Sequence, residues 1–164
     1  RSPARVTFDF LAEWRQATMA VTRPEGVEVP CTLGADRFQC VGATLRRELL
    51  EIDTTLRDAL SVEPAAGVTL ALEYAAVPLG RELAVGAGLH NVWLRKASDG
   101  KVRLRVLAAG RELGTLVATS GSGWEVRKLD TGVLAGQTAP VRFEITVDNP
   151  HGRHLGFAAE ARQP

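Results

Sequence analysis

The stretch Val141-Arg-Phe-Glu-Ile-Thr-Val147 decides the fold class of this 164-residue chain. Apolar and polar side chains alternate along it without a break. The apolar members are Val141, Phe143, Ile145 and Val147. A period of two residues is typical of a β-strand with one buried face. The stretch therefore predicts a strand that contributes its apolar face to a hydrophobic core.

Similar short stretches recur between turn signals on either side of this strand. Further strands are predicted at 6–8, 18–22, 49–53, 68–74, 83–85, 92–96, 102–106, 111–117, 124–128 and 155–161. Asp99-Gly100 is a strong hairpin signal, so 92–96, 102–106 and 111–117 are predicted to form an antiparallel meander. The last strand, 155–161, is predicted to pair back with 141–147.

Helical signals are few and short. Asp9 is predicted to cap a brief helix over 10–16, with Phe10, Leu11 and Trp14 on one side. Residues 129–137 are suited to one helical turn, and 45–56 is ambiguous between helix and strand. Many short strands spaced by turns predict an all-β protein. We expect a single domain over 1–164, a two-sheet antiparallel jelly-roll sandwich.

The charge balance argues against a nucleic-acid partner. Twenty basic residues face nineteen acidic ones, for a formal net charge of +1. Non-specific nucleic-acid binding requires a broad positive field, which this composition does not supply. No stretch approaches the ~20 apolar residues that would cross a bilayer. Because the sequence starts at Arg1, we expect a mature or excised part of a longer chain.

The two cysteines, Cys31 and Cys40, flank a segment that contains the turn-forming residues Gly34 and Asp36. A disulfide closing so short a loop would stabilise the fold by about 2–3 kcal/mol. We predict this disulfide, with buried free thiols as the alternative. A zinc site is disfavoured because the spacing is not Cys-x2-Cys. A disulfide in turn predicts an extracytoplasmic location, periplasmic or secreted.

The chain resembles the closing strands of galactose-binding-like jelly rolls. The stretch carrying the resemblance is Trp124-Glu-Val-Arg-Lys-Leu-Asp-Thr-Gly-Val-Leu-Ala-Gly136-Gln-Thr-Ala-Pro-Val141-Arg-Phe-Glu-Ile-Thr-Val147, followed by Gly156-Phe-Ala-Ala-Glu160. It contains a Trp-led strand, an Asp, a Leu-x-Gly-Gln turn and a last strand ending near an acidic residue. Exported domains of bacterial envelope proteins are similar. The resemblance implies a carbohydrate-binding-module-like domain without a catalytic cofactor.

In some members of that superfamily, an acidic residue near the first strand and one near the last hold a structural calcium ion. The resemblance implies Asp9 and Glu160 for this role. Calcium requires six or more oxygen ligands, and the sequence does not identify the others. A helix cap and a paired surface carboxylate are the alternative roles of these two residues.

A sugar site needs a flat aromatic ring beside hydrogen-bonding groups. Phe143, Phe157 and Trp14 lie in phase with core residues, which leaves Trp93 and Trp124 as stacking platforms. The polar neighbours of Trp93 complete the predicted ligand-binding set. They are His90, Asn91 and Arg95. Core or sheet-edge packing is the alternative for both tryptophans.

No catalytic motif can be read from the chain. It has no Gly-x-Ser-x-Gly elbow, His-Glu-x-x-His helix or phosphate loop. We expect a non-catalytic extracytoplasmic interaction module with glycan as its ligand. The alternative is a structural accessory domain of a larger membrane-anchored envelope enzyme, such as a glycosyltransferase. A third hypothesis is a hydrolase that uses carboxylates from Glu51, Asp53 and Glu73.

Overall fold

The computed structural model describes residues 3–63, 67–90, 101–119, 121–148 and 154–164. In these ranges 66% of the residues lie in fourteen strands. They are β1 (Arg5–Asp9), β2 (Thr18–Thr22), β3 (Glu28–Pro30), β4 (Thr32–Leu33), β5 (Phe38–Cys40), β6 (Ala43–Ile52), β7 (Thr55–Glu63), β8 (Thr69–Pro78), β9 (Glu82–Leu89), β10 (Val102–Ala108), β11 (Arg111–Ala118), β12 (Glu125–Asp130), β13 (Thr138–Val147) and β14 (Leu155–Gln163). The predicted all-β class is confirmed. No helix in the described ranges is long and apolar enough to cross a bilayer.

The strands form two antiparallel sheets that pack face to face. The larger sheet has the order β12-β9-β14-β7-β6-β5-β4, and β1 also pairs with β14. The smaller sheet has the order β11-β10-β13-β8-β2-β3. Neighbouring strands are mostly distant in sequence, as expected of a jelly roll. The predicted two-sheet sandwich is confirmed.

Two predicted pairings are wrong. The last strand, β14, does not pair with β13 but lies in the other sheet between β9 on one edge and β7 and β1 on the other. The meander is reduced to the β10–β11 hairpin, because the other edge of β10 is occupied by β13. The predicted strand 92–96 falls outside the described residues.

The core lies between the sheets, and aromatic side chains fill its centre. Phe143 and Phe157 are fully buried, with ring centroids 5.4 Å apart. Phe10 packs edge-on against both Phe143 and Tyr74. Tyr74 donates a hydrogen bond of 2.6 Å to the Phe10 carbonyl, and its burial raises the pKa of its hydroxyl. The predicted burial of the 141–147 apolar face, Phe157 and Trp14 is confirmed.

The predicted helix over 10–16 is reduced to a turn followed by a short 3₁₀ segment, Trp14–Gln16. Asp9 does cap this turn, since its Oδ1 accepts hydrogen bonds from the Leu11 and Ala12 amides at 3.0 and 3.1 Å. The Phe10 amide donates to the Ala159 carbonyl of β14, which keeps the chain bonded to the sheet edge. Residues 10–17 must also connect β1 in the larger sheet to β2 in the smaller one, and this short connection forms single turns rather than a regular helix. The second predicted turn is a 3₁₀ segment, Gly132–Leu134.

The region of ambiguous sequence, 45–56, is a β-hairpin. It contains most of β6 and the start of β7, which are joined by a two-residue turn at Asp53 and Thr54. Both turn residues have positive φ, 55° and 61°, as a tight hairpin turn requires. Near the same edge of the larger sheet, Cys31 and Cys40 form the predicted disulfide, with Cα atoms 4.5 Å apart.

Candidate functional site

The outer face of the larger sheet is unusually smooth along β9 and β14. Alternate residues of both strands point into the core, so the residues between them face outward. These outward residues are Ala84, Gly86, Gly88, Gly156 and Ala158. Glycine and alanine leave room for other groups to lie directly on the sheet. Two structural elements use that room.

Trp124 is the first of these elements. A Cβ atom at Gly86 would lie 2.4 Å from Cζ2 and 2.6 Å from Cε2 of the Trp124 indole, so only glycine permits this contact. The Arg57 guanidinium carbon lies 4.9 Å from the centroid of the same ring. Trp124 is half-buried. The indole is thus held against the sheet by Gly86 and Arg57, with part of its surface still accessible.

The β6–β7 hairpin is the second element. Ile52, which is fully buried, lies so close to the sheet that a Cβ atom at Gly88 or Gly156 would meet it at 2.7 Å. Across the hairpin turn, a Cβ atom at Gly123 would lie 2.8 Å from the Asp53 carboxylate. The hairpin therefore folds over the outer face and reaches the loop that carries Trp124. It also brings Arg57 to the indole.

Between these elements and β1 lies a groove of about 210 Å³. Two of its walls are apolar. Leu11 forms one of them, and Trp124 and Val126 form the other. The small outward residues of β9 and β14 form its floor. Asp9, Glu160 and Arg162 supply its charged groups. The groove combines an aromatic ring, apolar surface and both signs of charge.

The two carboxylates of the groove face each other across the β1–β14 pair, where Asp9 is the cross-strand partner of Glu160. Each already has a protein partner. Glu160 accepts a hydrogen bond of 2.9 Å from Arg162 Nε, and Asp9 Oδ1 caps the turn. In the described ranges no group of three or more His, Cys, Asp or Glu side chains is arranged to hold a metal. Calcium at this pair stays a prediction.

The structure brings together residues that the sequence assigned to separate roles. Trp124, predicted as a sugar platform, lines the same groove as Asp9 and Glu160, which were predicted as calcium ligands. His90 lies elsewhere, at the end of β9 beside His154. The other members of the predicted binding set, Trp93, Asn91 and Arg95, lie in 91–100, outside the described residues.

The carboxylates of the hydrolase hypothesis are not gathered into one cleft. Glu51 and Asp53 lie in the β6–β7 hairpin of the larger sheet, whereas Glu73 lies on β8 of the smaller sheet.

On the outer face of that smaller sheet, Glu144 pairs with Arg105 and Arg142, each at 2.9 Å. Partial burial opposes ionisation of Glu144, but these hydrogen bonds outweigh it and lower the pKa of its carboxyl. Arg105 and Arg142 are therefore both ion-paired on this face.

Sequence reasoning missed Arg57 and Gly86 as parts of the site. Arg57 reaches Trp124 only because the hairpin folds over the sheet, which no local pattern encodes. Gly86 did leave a signal, since it and Gly88 alternate directly after the predicted strand 83–85 and lie within β9 in the structure. Glycines in a strand often mark a close approach by another group.

No protein-family model matches the sequence, and no curated protein sequence matches it. The fold is similar to solved structures of the CBM51-2 and INT domains from Clostridium perfringens ZmpB. One has a TM-score of 0.55 at 12% identity, over 87% of this chain and 31% of that chain. The other, in complex with GlcNAc, has a TM-score of 0.51 at 10% identity, over 89% of this chain and 37% of that chain. This chain thus spans about a third of each matched chain, and it shares the two-sheet β-sandwich fold of those domains.

Proposed function

We propose that this domain is a non-catalytic glycan-binding module of an extracytoplasmic protein, and that it binds sugar in the groove beside Trp124. One observation carries the proposal. The Trp124 indole packs directly on Gly86. It lines one groove together with the carboxylates of Asp9 and Glu160 and the side chain of Arg162. The proposal covers both the class of ligand and its place on the fold.

The chemistry of the groove matches that of a sugar ring. A sugar has apolar C–H faces and a rim of hydroxyl groups that donate and accept hydrogen bonds. Trp124 and Val126 offer apolar surface, while Asp9, Glu160 and Arg162 offer acceptors and donors. The volume, about 210 Å³, is of the order of one sugar ring.

The site is also held in place before any ligand arrives. Gly86 fixes the indole from the sheet side, and Arg57 packs over the ring. The Arg57 Nε atom is buried without a hydrogen-bond partner among the described residues, and its guanidinium carbon lies 4.9 Å from the ring centroid. A rigid aromatic surface loses little conformational entropy on binding, which favours affinity.

Two further observations support the proposal. One of the structurally similar proteins is described in complex with GlcNAc. The Cys31–Cys40 disulfide suits an oxidising, extracytoplasmic compartment. The separation of Glu51 and Asp53 from Glu73 favours binding over hydrolysis.

A glycan array probed with the wild-type domain tests the function. Trp124→Ala should then weaken the best glycan by about 1–3 kcal/mol, the range of a binding hot spot, or roughly 5- to 150-fold. Val133→Ala is the matched control, because it removes exposed apolar surface outside the groove and should change nothing.

Two outcomes would contradict the proposal. Unchanged affinity in Trp124→Ala, with loss in Trp93→Ala, would move the sugar site to residues 91–100. A wild-type domain that binds no glycan would favour the structural accessory role instead. Both variants are checked for folding by their melting temperatures, so a folding defect is not read as lost binding.

A further inference from the structure

The groove beside Trp124 carries an unbalanced charge. Two carboxylates, Asp9 and Glu160, line it together with one cation, Arg162. The two carboxylates are direct cross-strand partners on the β1–β14 pair. Like charges directly opposite each other on a sheet repel and are destabilising. A positively charged group bound between them would relieve this repulsion, so the charges of the groove bear on the class of its ligand.

Arg162 is already engaged by carboxylates. Its Nε donates a hydrogen bond of 2.9 Å to Glu160 Oε2. Its cross-strand partner on β9 is Glu82. Directly opposite residues on one face of a sheet have Cβ atoms about 4.5–5.5 Å apart, so a second carboxylate flanks the same guanidinium. Arg162 therefore balances its acidic neighbours and does not offer an unopposed charge to an acidic ligand.

Other nearby cations leave the two carboxylates of the groove acidic. Lys128 on β12 is the partner of Ala84, which is in turn the partner of Glu160. Two strand spacings of about 4.8 Å thus separate Lys128 from Glu160, more than the Debye length of about 8 Å at physiological ionic strength.

The two arginines of the β6–β7 hairpin have other partners. Arg57 lies over the Trp124 ring and does not line the groove. Arg47 forms an ion pair of 2.7 Å with Asp58. The side of the groove formed by β1 and β14 is therefore net acidic.

This acidic side lies within reach of a sugar that stacks on Trp124. The indole lies against Gly86, whose direct partner on β14 is Ala158. Glu160 is therefore a diagonal neighbour of Gly86, and such neighbours lie about 7–8 Å apart. The floor between them consists of alanine and glycine. A sugar ring with its substituents can span this distance, from the indole to the carboxylates.

Both carboxylates keep acceptor capacity for a ligand. Asp9 Oδ1 accepts two backbone amides of its own turn, and Glu160 Oε2 accepts from Arg162. An ionised carboxylate has about four lone-pair sites and no donor. The pair is therefore best matched by a group that carries both positive charge and several N–H donors. An ammonium group has these properties, whereas a carboxylate or sulfate group has neither.

We propose that the groove selects glycans with a free amino group, such as de-N-acetylated hexosamines, an inference that rests on the proposed function and names the ligand class of the same groove. The ammonium group donates hydrogen bonds to Asp9 and Glu160, while a C–H face of the same sugar stacks on Trp124. A uronic acid or a sulfated sugar would bring a third anion to the carboxylate pair, and such a contact between like charges strongly disfavours binding. Asp9 and Glu160 thus determine specificity by attraction and by repulsion.

A glycan array with matched backbones tests the selectivity. Each gluco- and galacto-configured backbone is presented with a hydroxyl, an N-acetylamino or a free amino group at C2, and as its uronic acid. In EDTA, which keeps calcium off the carboxylate pair, the free amine should bind about 10- to 100-fold more tightly than the other forms. That ratio corresponds to one hydrogen bond between charged groups. Added salt should weaken the amine more than the neutral sugar.

Charge-removing variants of nearly unchanged size assign the selectivity to the two carboxylates. Glu160→Gln and Asp9→Asn should each reduce the preference for the amine at least ~10-fold and keep the affinity for the neutral sugar. Asparagine is also a good cap, so the turn at residue 9 should be retained, which melting temperatures verify. Glu28→Gln is the matched control, because it removes the same charge from an exposed position of the smaller sheet and should keep the preference.

Two results would overturn the selectivity and leave the proposed function standing. One is binding in the groove of neutral or acidic glycans in preference to the free amines. The other is a preference for amines that persists in both Glu160→Gln and Asp9→Asn. A wild-type domain that binds no glycan of any form would instead contradict the proposed function and the selectivity together.

Discussion

Gly86→Ala should displace Trp124 from the larger sheet and destabilise the domain. The added Cβ would lie 2.4 Å from the indole, whereas ordinary contacts begin near 3.4 Å, so the ring must retreat by about 1 Å. Overpacking of this kind costs about 1–3 kcal/mol. Replacing glycine by alanine also lowers the conformational entropy of the unfolded chain, which stabilises the folded state by about 0.4–1 kcal/mol. The net loss of unfolding free energy should be at most about 2.6 kcal/mol.

Urea unfolding measures that loss, and ¹⁹F NMR of the 5-fluorotryptophan-labelled domain reports on the ring. Only the Trp124 resonance should move, with assignment by Trp124→Phe. Gly34→Ala is the control, because the nearest atom to its new Cβ is a carbonyl oxygen at an ordinary 3.4 Å. An unmoved Trp124 resonance in Gly86→Ala would refute the contact on which the groove depends.

Three further predictions concern stability. Phe143→Ala should cost about 3–5 kcal/mol in urea unfolding, since the ring is fully buried among other aromatics; a loss below ~1 kcal/mol would contradict the core assignment. Replacing Cys31 and Cys40 by alanine should cost about 2–3 kcal/mol, and equal stability with and without the disulfide would contradict its role. Hydrogen bonds from Arg47 lower the pKa of the Asp58 carboxyl. The pair therefore stabilises the folded state at pH values above the usual aspartate pKa, and this stabilisation is lost as the pH falls through the lowered, folded-state pKa. Asp58→Asn should therefore lose at most about 1 kcal/mol at neutral pH and less in acid, and an equal loss at both would contradict the pairing.

The sequence predicts the strands of this fold better than their neighbours. The alternation at 141–147 correctly identifies both a strand and its buried face. It cannot say which sheet receives the next strand, because both sheets of a sandwich bury one face of every strand. The pairing of β14 with β9, β7 and β1 is set instead by connections that cross between the sheets.

The ambiguity at 45–56 has a tertiary explanation. Its Arg-Arg-Glu-Leu-Leu-Glu run has good helix formers, yet the segment is a strand in the structure. Ile52 and Leu50 are buried only when the hairpin lies over Gly88 and Gly156. That packing outweighs the modest local preference for helix.

Part of the candidate site could be predicted from the sequence, and part depends on the fold. Trp124 could be chosen from the sequence, because it borders a Gly-Ser loop and falls outside the alternation of core residues. The groove itself could not, since Asp9 and Glu160 meet only through the β1–β14 pairing. Arg57 arrives from a hairpin whose position depends on two distant glycines. Local pattern thus identifies the platform, and long-range pairing builds the groove around it.

Chemical-shift mapping of the best array glycan on the ¹⁵N-labelled domain tests the central claim most directly. Sugar bound in the groove should perturb the amides of Asp9, Ala84, Gly86, Val126 and Ala158, together with the Trp124 indole N–H. Amides of the smaller sheet should stay unchanged. Perturbations confined to 91–100, or spread over the outer face of the smaller sheet, would contradict the groove as the glycan site.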